Sequence, residues 1–342
     1  MTDRPVAVTG GTGYVASWII RELLARGVSV RATVRDRTAT GKHQHLLDLA
    51  GQLPGTLELF EADLLSPGSF DACFAGCGVV MHTASPFVTR VKDAQRDLVD
   101  PAVQGTRNVL DSVGRAETVS RVVLTSSVVA IYGNATDRAD RRYSEADWNT
   151  TSTLRDGPYH LSKTLAEKEA WRLADAQDRW RLVVINPGFV LGPALSARPD
   201  GTSVSTITKL LDGTARTGMP DMYNPVVDVR EVATAHAEAA LRDDAEGRHI
   251  IASEVASFVQ IAEELRVAFP DRPLPRRKLP TPLVYLLGPV AAGYTWGYVR
   301  RNLGHPFTID SSRGRDRLGL HYRPMAETLR DQGRQLIDMG LV

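Results

Sequence analysis

Val6-Ala7-Val8-Thr9-Gly10-Gly11-Thr12-Gly13-Tyr14-Val15-Ala16 decides the fold of this chain. A short apolar strand runs into a glycine-rich turn, and the turn opens an apolar-periodic helix that Gly27 ends. The glycines permit a tight turn and let the backbone approach a pyrophosphate closely. The helix behind them offers unpaired N–H groups and a partial positive charge. The spacing is G-x-x-G-x-x-A, one residue different from the G-x-G-x-x-G of many dinucleotide sites.

The segments that follow repeat the plan. Residues 28–34, 57–60, 79–82, 121–125 and 182–186 read as further strands. Ser66-Pro67 predicts an N-cap and first-turn proline for a helix through Phe74, and 97–113 and 158–178 read as long helices. Short, unalternating apolar strands separated by helices indicate a parallel sheet covered on both faces. The expected fold class is therefore α/β, a Rossmann-type doubly wound sheet whose ligand lies beyond the C-terminal ends of its strands. Beyond Pro187 glycine and proline become frequent, and helices at 229–241 and 261–269 stand between irregular stretches. The expected division is a nucleotide-binding domain over 1–190, to which 226–232 returns, and a smaller interleaved substrate lobe over 191–342.

Length and composition exclude several classes. The 342 residues suffice for two domains, or for one large domain with an appendage. Forty-one Lys and Arg against 40 Asp and Glu leave a charge of +1, with no basic excess of the kind nucleic acid requires. From Asp271 onward, though, twelve basic residues face six acidic ones, and the bland account of that excess is a solvated surface. The two cysteines, Cys73 and Cys77, rule out a disulfide scaffold and read as small buried hydrophobes in a reducing compartment. No H-E-x-x-H or Cys/His cluster suggests a metal. His43-x-His45 reads as solvated. The first residues lack the plan of a signal peptide. The uncharged run 279–299 is interrupted by prolines and glycines, and is expected to be a buried helical or lid segment, not a membrane span. Tyr294, Trp296 and Tyr298 within it are expected to pack as core, with covering the substrate as the alternative.

The second strand speaks to the cofactor. Dinucleotide sites for NAD place Asp or Glu near its end to hold the ribose 2′-hydroxyl. Here Thr33 stands at that position, Arg35 follows, and Lys42 lies seven residues on. A guanidinium suits a 2′-phosphate dianion, so the expected cofactor is NADP(H). Tyr159 alone among nine tyrosines has a lysine four residues later, Lys163, which places both side chains on one helix face. A phenol beside an ammonium has a lowered pKa and can give a proton to a carbonyl oxygen or take one from an alcohol. Thr125-Ser126-Ser127 ends the fifth strand, where a hydroxyl can hydrogen-bond the same oxygen.

These residues resemble the extended short-chain dehydrogenase/reductase superfamily. They are most similar to its branch of dihydroflavonol reductases, cinnamoyl-CoA reductases and bacterial or fungal aldehyde reductases. The resemblance runs over nearly the whole chain, through the glycine turn, 30–36 with Lys42, Glu61-Ala62-Asp63-Leu64, His82-Thr83-Ala84-Ser85-Pro86-Phe87, the serine and Tyr-x-x-x-Lys motifs, Asn186-Pro187-Gly188 and 227–233. It implies a catalytic triad of Ser127, Tyr159 and Lys163, with Ser126 as the alternative serine. It implies cofactor contacts from Gly10, Thr12, Gly13, Tyr14, Val15, Arg35, Lys42, Asp63, Leu64, Thr83, Ala84, Ser85, Thr125, Pro187, Gly188 and Val190. Phe87, Tyr132 and Phe189 are candidates for the substrate side. Flavonoid reductases carry an asparagine shortly after the serines, where this chain has Tyr132, and the plant Lys-Asn-Trp-Tyr-Cys-Tyr motif is replaced here by Arg155-Asp156-Gly157-Pro158-Tyr159. Neither plant activity carries over. The expectation is a cytoplasmic NADPH-dependent carbonyl reductase, monomer or homodimer, acting on aldehydes or ketones with apolar substituents. The alternatives are a hydroxysteroid dehydrogenase, a nucleotide-sugar epimerase or dehydratase, and a non-enzymatic NADP sensor.

Overall fold

The computed structural model describes residues 4–86, 91–196, 201–291 and 295–342. Its strands are β1 (Val6–Val8), β2 (Ser29–Val34), β3 (Thr56–Glu61), β4 (Val79–His82), β5 (Arg121–Thr125), β6 (Arg142–Tyr143), β7 (Arg181–Pro187), β8 (Phe189–Leu191), β9 (Tyr223–Asp228), β10 (Gly247–Ile251), β11 (Glu254–Ser257) and β12 (Thr308–Ile309). The helices of the first half are α1 (Tyr14–Ala25), α2 (Gln44–Gln52), α3 (Asp71–Phe74), α4 (Asp100–Arg115) and α5 (Pro158–Asp175). Those of the second half are α6 (Thr202–Leu211), α7 (Val229–Leu241), α8 (Phe258–Ala268), α9 (Thr281–Ala291), α10 (Trp296–Asn302), α11 (Ser312–Leu318) and α12 (Met325–Asp338).

Seven strands pair in the order β10-β7-β5-β4-β1-β2-β3, every pairing parallel. Parallel strands need helical crossovers, and these cover both faces. One face is sealed by α1 and α7, with Ile19, Ile20, Leu23, Val232 and Ala239 packed against Val6, Val8 and Val30. The other is sealed by α3, α4 and α5, with Phe70, Phe74, Val109, Val113 and Ala170 against Ala7, Val80 and Val122. Strand order reverses between β1 and β4, and the glycine turn stands at that crevice.

Segments after residue 191 also reach this sheet. β9 pairs with β8 and β11 in a small separate sheet, whereas α7 packs on α1 and β10 adds the seventh strand of the large one. Asp228 ends β9 and caps α7, accepting from the Arg230 amide at 2.8 Å, and Arg230 reaches Asp331 of α12 at 2.8 Å. Tyr14 and Trp18 of α1 donate to the Gly192 and Pro193 carbonyls, so the first helix and the lobe junction are joined directly.

Three local expectations are corrected. The helix after Ser66-Pro67 begins only at Asp71, because Gly68 adopts φ 77° and interrupts helical backbone. His43 is buried beneath α2, not solvated. The uncharged run is helical but only partly buried among its described residues: α9 turns Val284 inward and leaves Leu286 71% exposed, while α10 buries Val299 and leaves Trp296 70% exposed.

Candidate active site

The site assembles along the C-terminal edge of the large sheet. Gly10 adopts φ 68°, and a Cβ there would lie 3.1 Å from the Ala84 Cα, so only glycine fits this crossing of the β1 and β4 loops. Thr9 ties the same two loops together. Its hydroxyl accepts from the Thr83 and Ala84 amides at 3.1 and 3.0 Å and shares a hydrogen with His82 Nδ1 at 3.0 Å. Burial pushes the His82 pKa down to about 3, with the Lys163 ammonium adding to the effect, so this imidazole stays neutral.

The turn and β2 form a cradle suited to a phosphate-rich dinucleotide. Gly13 caps α1 without a side chain, and no acidic residue occupies the first helical turn. Those N–H groups and the helix dipole therefore remain available to an anion. Thr33 is buried at the end of β2, where its hydroxyl accepts from the Gly10 amide at 3.0 Å. No carboxylate stands at that position to repel a 2′-phosphate. Asp36 accepts from the Thr38 amide and hydroxyl at 2.8 and 2.6 Å. Arg35 and Lys42 are exposed and make no ion pair among the described residues.

Across the switch point, a recess is lined by Leu64, His82, Ala84, Ser85, Thr125, Ser126, Lys163 and Glu167, among others. Lys163 Nζ donates to Ser85 Oγ at 3.1 Å. Tyr159, one helical turn earlier on α5, shares its face and is 50% exposed. Desolvation raises the Tyr159 pKa above its ordinary value. The lysine is itself desolvated and pushed down to about 8.

The two serines differ in what they do. Ser126 is buried and donates its hydroxyl to Glu167. Ser127 is half-buried and caps a short turn, accepting from the Val129 amide at a long 3.4 Å. Ser127 is therefore the hydroxyl free to meet a ligand. Of the other candidates, Asp63 holds the Leu65 amide at 2.8 Å, and Gly188 lies so close to β9 that a Cβ would stand 2.5 Å from the Pro225 carbonyl. Thr12, Val15 and Val190 are half-buried and Pro187 is buried. Tyr132 is corrected as a substrate residue. Its ring is buried with Tyr143 and Phe307, at centroid distances of 5.2 and 4.8 Å, in an aromatic cluster. Phe189 meets Phe258 edge-on at 6.3 Å on the second lobe. Phe87 and Tyr294 lie outside the described residues.

The sequence reading missed one group that positions the site. Glu167, one turn beyond Lys163, is buried and accepts from Arg248 Nε at 2.6 Å, Asn186 Nδ2 at 2.8 Å and Ser126. Asn186 also donates to the Ser127 carbonyl at 3.1 Å. One carboxylate thus joins α5, which carries Tyr159 and Lys163, to the strand ends carrying the serines. Its spacing of four from Lys163 on the same helix face was the available signal.

Comparison with known proteins identifies the family. The model of the NAD dependent epimerase/dehydratase family matches residues 6–252. A cinnamoyl-CoA reductase, CAD2, of Medicago truncatula is 41% identical over 278 residues, covering 80% of this chain and 83% of that protein. An anthocyanidin reductase of Vitis vinifera is 35% identical over 283 residues, covering 80% and 83%. Among solved structures, Gre2 of Candida albicans in complex with NADPH superposes with a TM-score of 0.80 at 29% identity, covering 98% of this chain and 99% of that one.

Proposed function

The chain belongs to the NAD dependent epimerase/dehydratase family, and from that premise we propose that it is a carbonyl reductase turning an aldehyde or ketone with apolar substituents into an alcohol. It is an NADP(H)-dependent oxidoreductase of the extended short-chain dehydrogenase/reductase class, in the branch of the cinnamoyl-CoA and anthocyanidin reductases. What supports the reading is the common end of the large sheet for Tyr159, Lys163 and Ser127, together with an uncapped helix N-terminus and an exposed Arg35 that makes no ion pair among the described residues.

NADPH, when bound, supplies the hydride that reaches the carbonyl carbon. Ser127 donates a hydrogen bond to the carbonyl oxygen and orients it. Tyr159 gives that oxygen its proton, then recovers one from solvent. Lys163 would hold the nicotinamide ribose, and Arg35 with Lys42 would hold the 2′-phosphate. The second lobe, from 191 onward apart from α7 and β10, covers the substrate.

Two outcomes follow. Arg35→Ser weakens NADPH binding by roughly tenfold to a hundredfold, the worth of a charge-assisted hydrogen bond, and leaves NADH binding unchanged. Fluorescence titration with both cofactors checks this, and tighter NADH binding by the unmodified chain contradicts the cofactor assignment. The pH profile of kcat/KM for reduction falls as pH rises through about 8, where the Lys163 ammonium loses its proton. Lys163→Arg, which keeps its charge, moves that limb to higher pH. A profile flat to pH 10 would exclude the lysine from this role.

A further inference from the structure

The uncharged run expected to be buried lies partly on the surface, and its position has a use. On α9, Val284 packs inward with Met222 and Val299, while Leu283, Leu286 and Leu287 are exposed. Spaced i, i+3 and i+4, these leucines form one outward stripe. On α10, Trp296 and Arg300 are exposed one turn apart. A soluble surface seldom concentrates large apolar side chains in this way without a partner.

Cations flank the two helices in sequence. Arg276, Arg277 and Lys278 lead directly into α9, and Arg300 and Arg301 close α10. Lys278 pairs with Asp221 and Arg301 with Asp156, but Arg276, Arg277 and Arg300 are exposed and make no ion pair among the described residues. The face also adjoins the active site. Thr295 donates to Asp156 at 2.7 Å, two residues before α5 begins, and the Tyr298 ring lies 6.1 Å from His160, the neighbour of Tyr159.

We propose that α9 and α10 form a docking face for an anionic lipid surface, set beside the mouth of the active site. The leucines and Trp296 enter the boundary between headgroups and acyl chains, and Arg276, Arg277 and Arg300 meet the lipid phosphates. Charge complementarity selects this occupant: an apolar stripe alone would suit a second copy of the chain, but the flanking cations would repel their counterparts across such an interface. No described helix is long and apolar enough to cross a membrane, so the face lies on the bilayer. Resting on the reductase reading, the docking face brings the site to apolar carbonyl compounds dissolved in that bilayer.

Flotation of the full chain with vesicles tests the docking without any need for turnover. Phosphatidylcholine vesicles are compared with vesicles containing about one third phosphatidylglycerol. Three surface cations correspond to roughly hundredfold stronger binding to the anionic vesicles, weakened by salt. Leu286→Ser/Leu287→Ser abolishes flotation but retains the melting temperature and the reduction of a water-soluble aldehyde. The proposal is overturned if the unmodified chain fails to float, floats equally with neutral vesicles, or floats undiminished after the leucine substitutions. A dimer in light scattering that the leucine variant converts to monomer would also overturn it, in favour of a self-interface. Absence of carbonyl reduction with intact flotation would instead count against the reductase reading alone.

Discussion

Tyr159→Phe lowers kcat by roughly a hundredfold to ten thousandfold, the usual worth of a positioned proton donor. The variant still binds NADPH to within about twofold, because the tyrosine is 50% exposed and an exposed substitution disturbs little packing. The size of the loss follows from the site's arrangement. Ser126 is committed to Glu167, and Lys163 is held by Ser85, so neither substitutes for the phenol at the reacting oxygen. Stopped-flow mixing with an aldehyde and NADPH, alongside a cofactor titration, separates the two quantities. An undiminished kcat in the Phe variant would remove Tyr159 from the mechanism.

The largest effect on stability is expected at Glu167. Glu167→Ala leaves the buried Arg248 guanidinium without its anion and strips an acceptor from Ser126 and Asn186. Breaking one partner of a buried ion pair costs about 3–5 kcal/mol. With an unfolding entropy of ~2.1 cal/mol/K per residue over 342 residues, Tm falls by about 4–7 °C. Arg248 retains carbonyl partners in Glu145 and Asp147 and lies over the Trp148 ring at 3.8 Å, so it cannot move into water without dismantling that loop. Glu167→Gln combined with Arg248→Met removes both charges and recovers much of the loss, because the desolvation cost disappears with the pair. Calorimetry of the single and double variants measures this coupling. Strictly additive losses would show that the pair does not act as a unit.

What the sequence disclosed follows from how locally each feature is encoded. The parallel sheet was legible because β1, β4, β5 and β7 are short apolar runs between helices, a pattern that needs no knowledge of distant partners. The glycine turn was legible because one conformation and one ligand chemistry share a few adjacent residues. β10 escaped because Arg248 and His249 interrupt its apolar character. The anion that balances buried Arg248 is a carboxylate 81 residues earlier, and no local pattern reveals such a partner. Glu167 escaped for the reciprocal reason, reading as the polar side of a helix. The burial of the 279–299 run was misread because lack of charge was equated with burial, whereas α9 is anchored by Val284 and presents its leucines outward. Tyr132 stands close to Ser127 in sequence, yet the turn after β5 directs its ring into the cluster with Phe307.

The central claim is net hydride transfer from NADPH to a carbonyl carbon. It is tested most directly with NADPH carrying deuterium at the transferable position of nicotinamide C4, incubated with a panel of apolar aldehydes and ketones and analysed by mass spectrometry. The account predicts one deuterium on the carbinol carbon of the alcohol for each NADPH oxidised, with transfer abolished in Tyr159→Phe. NADPH that stays reduced while a sugar nucleotide is epimerised, or that binds without any turnover, would contradict it.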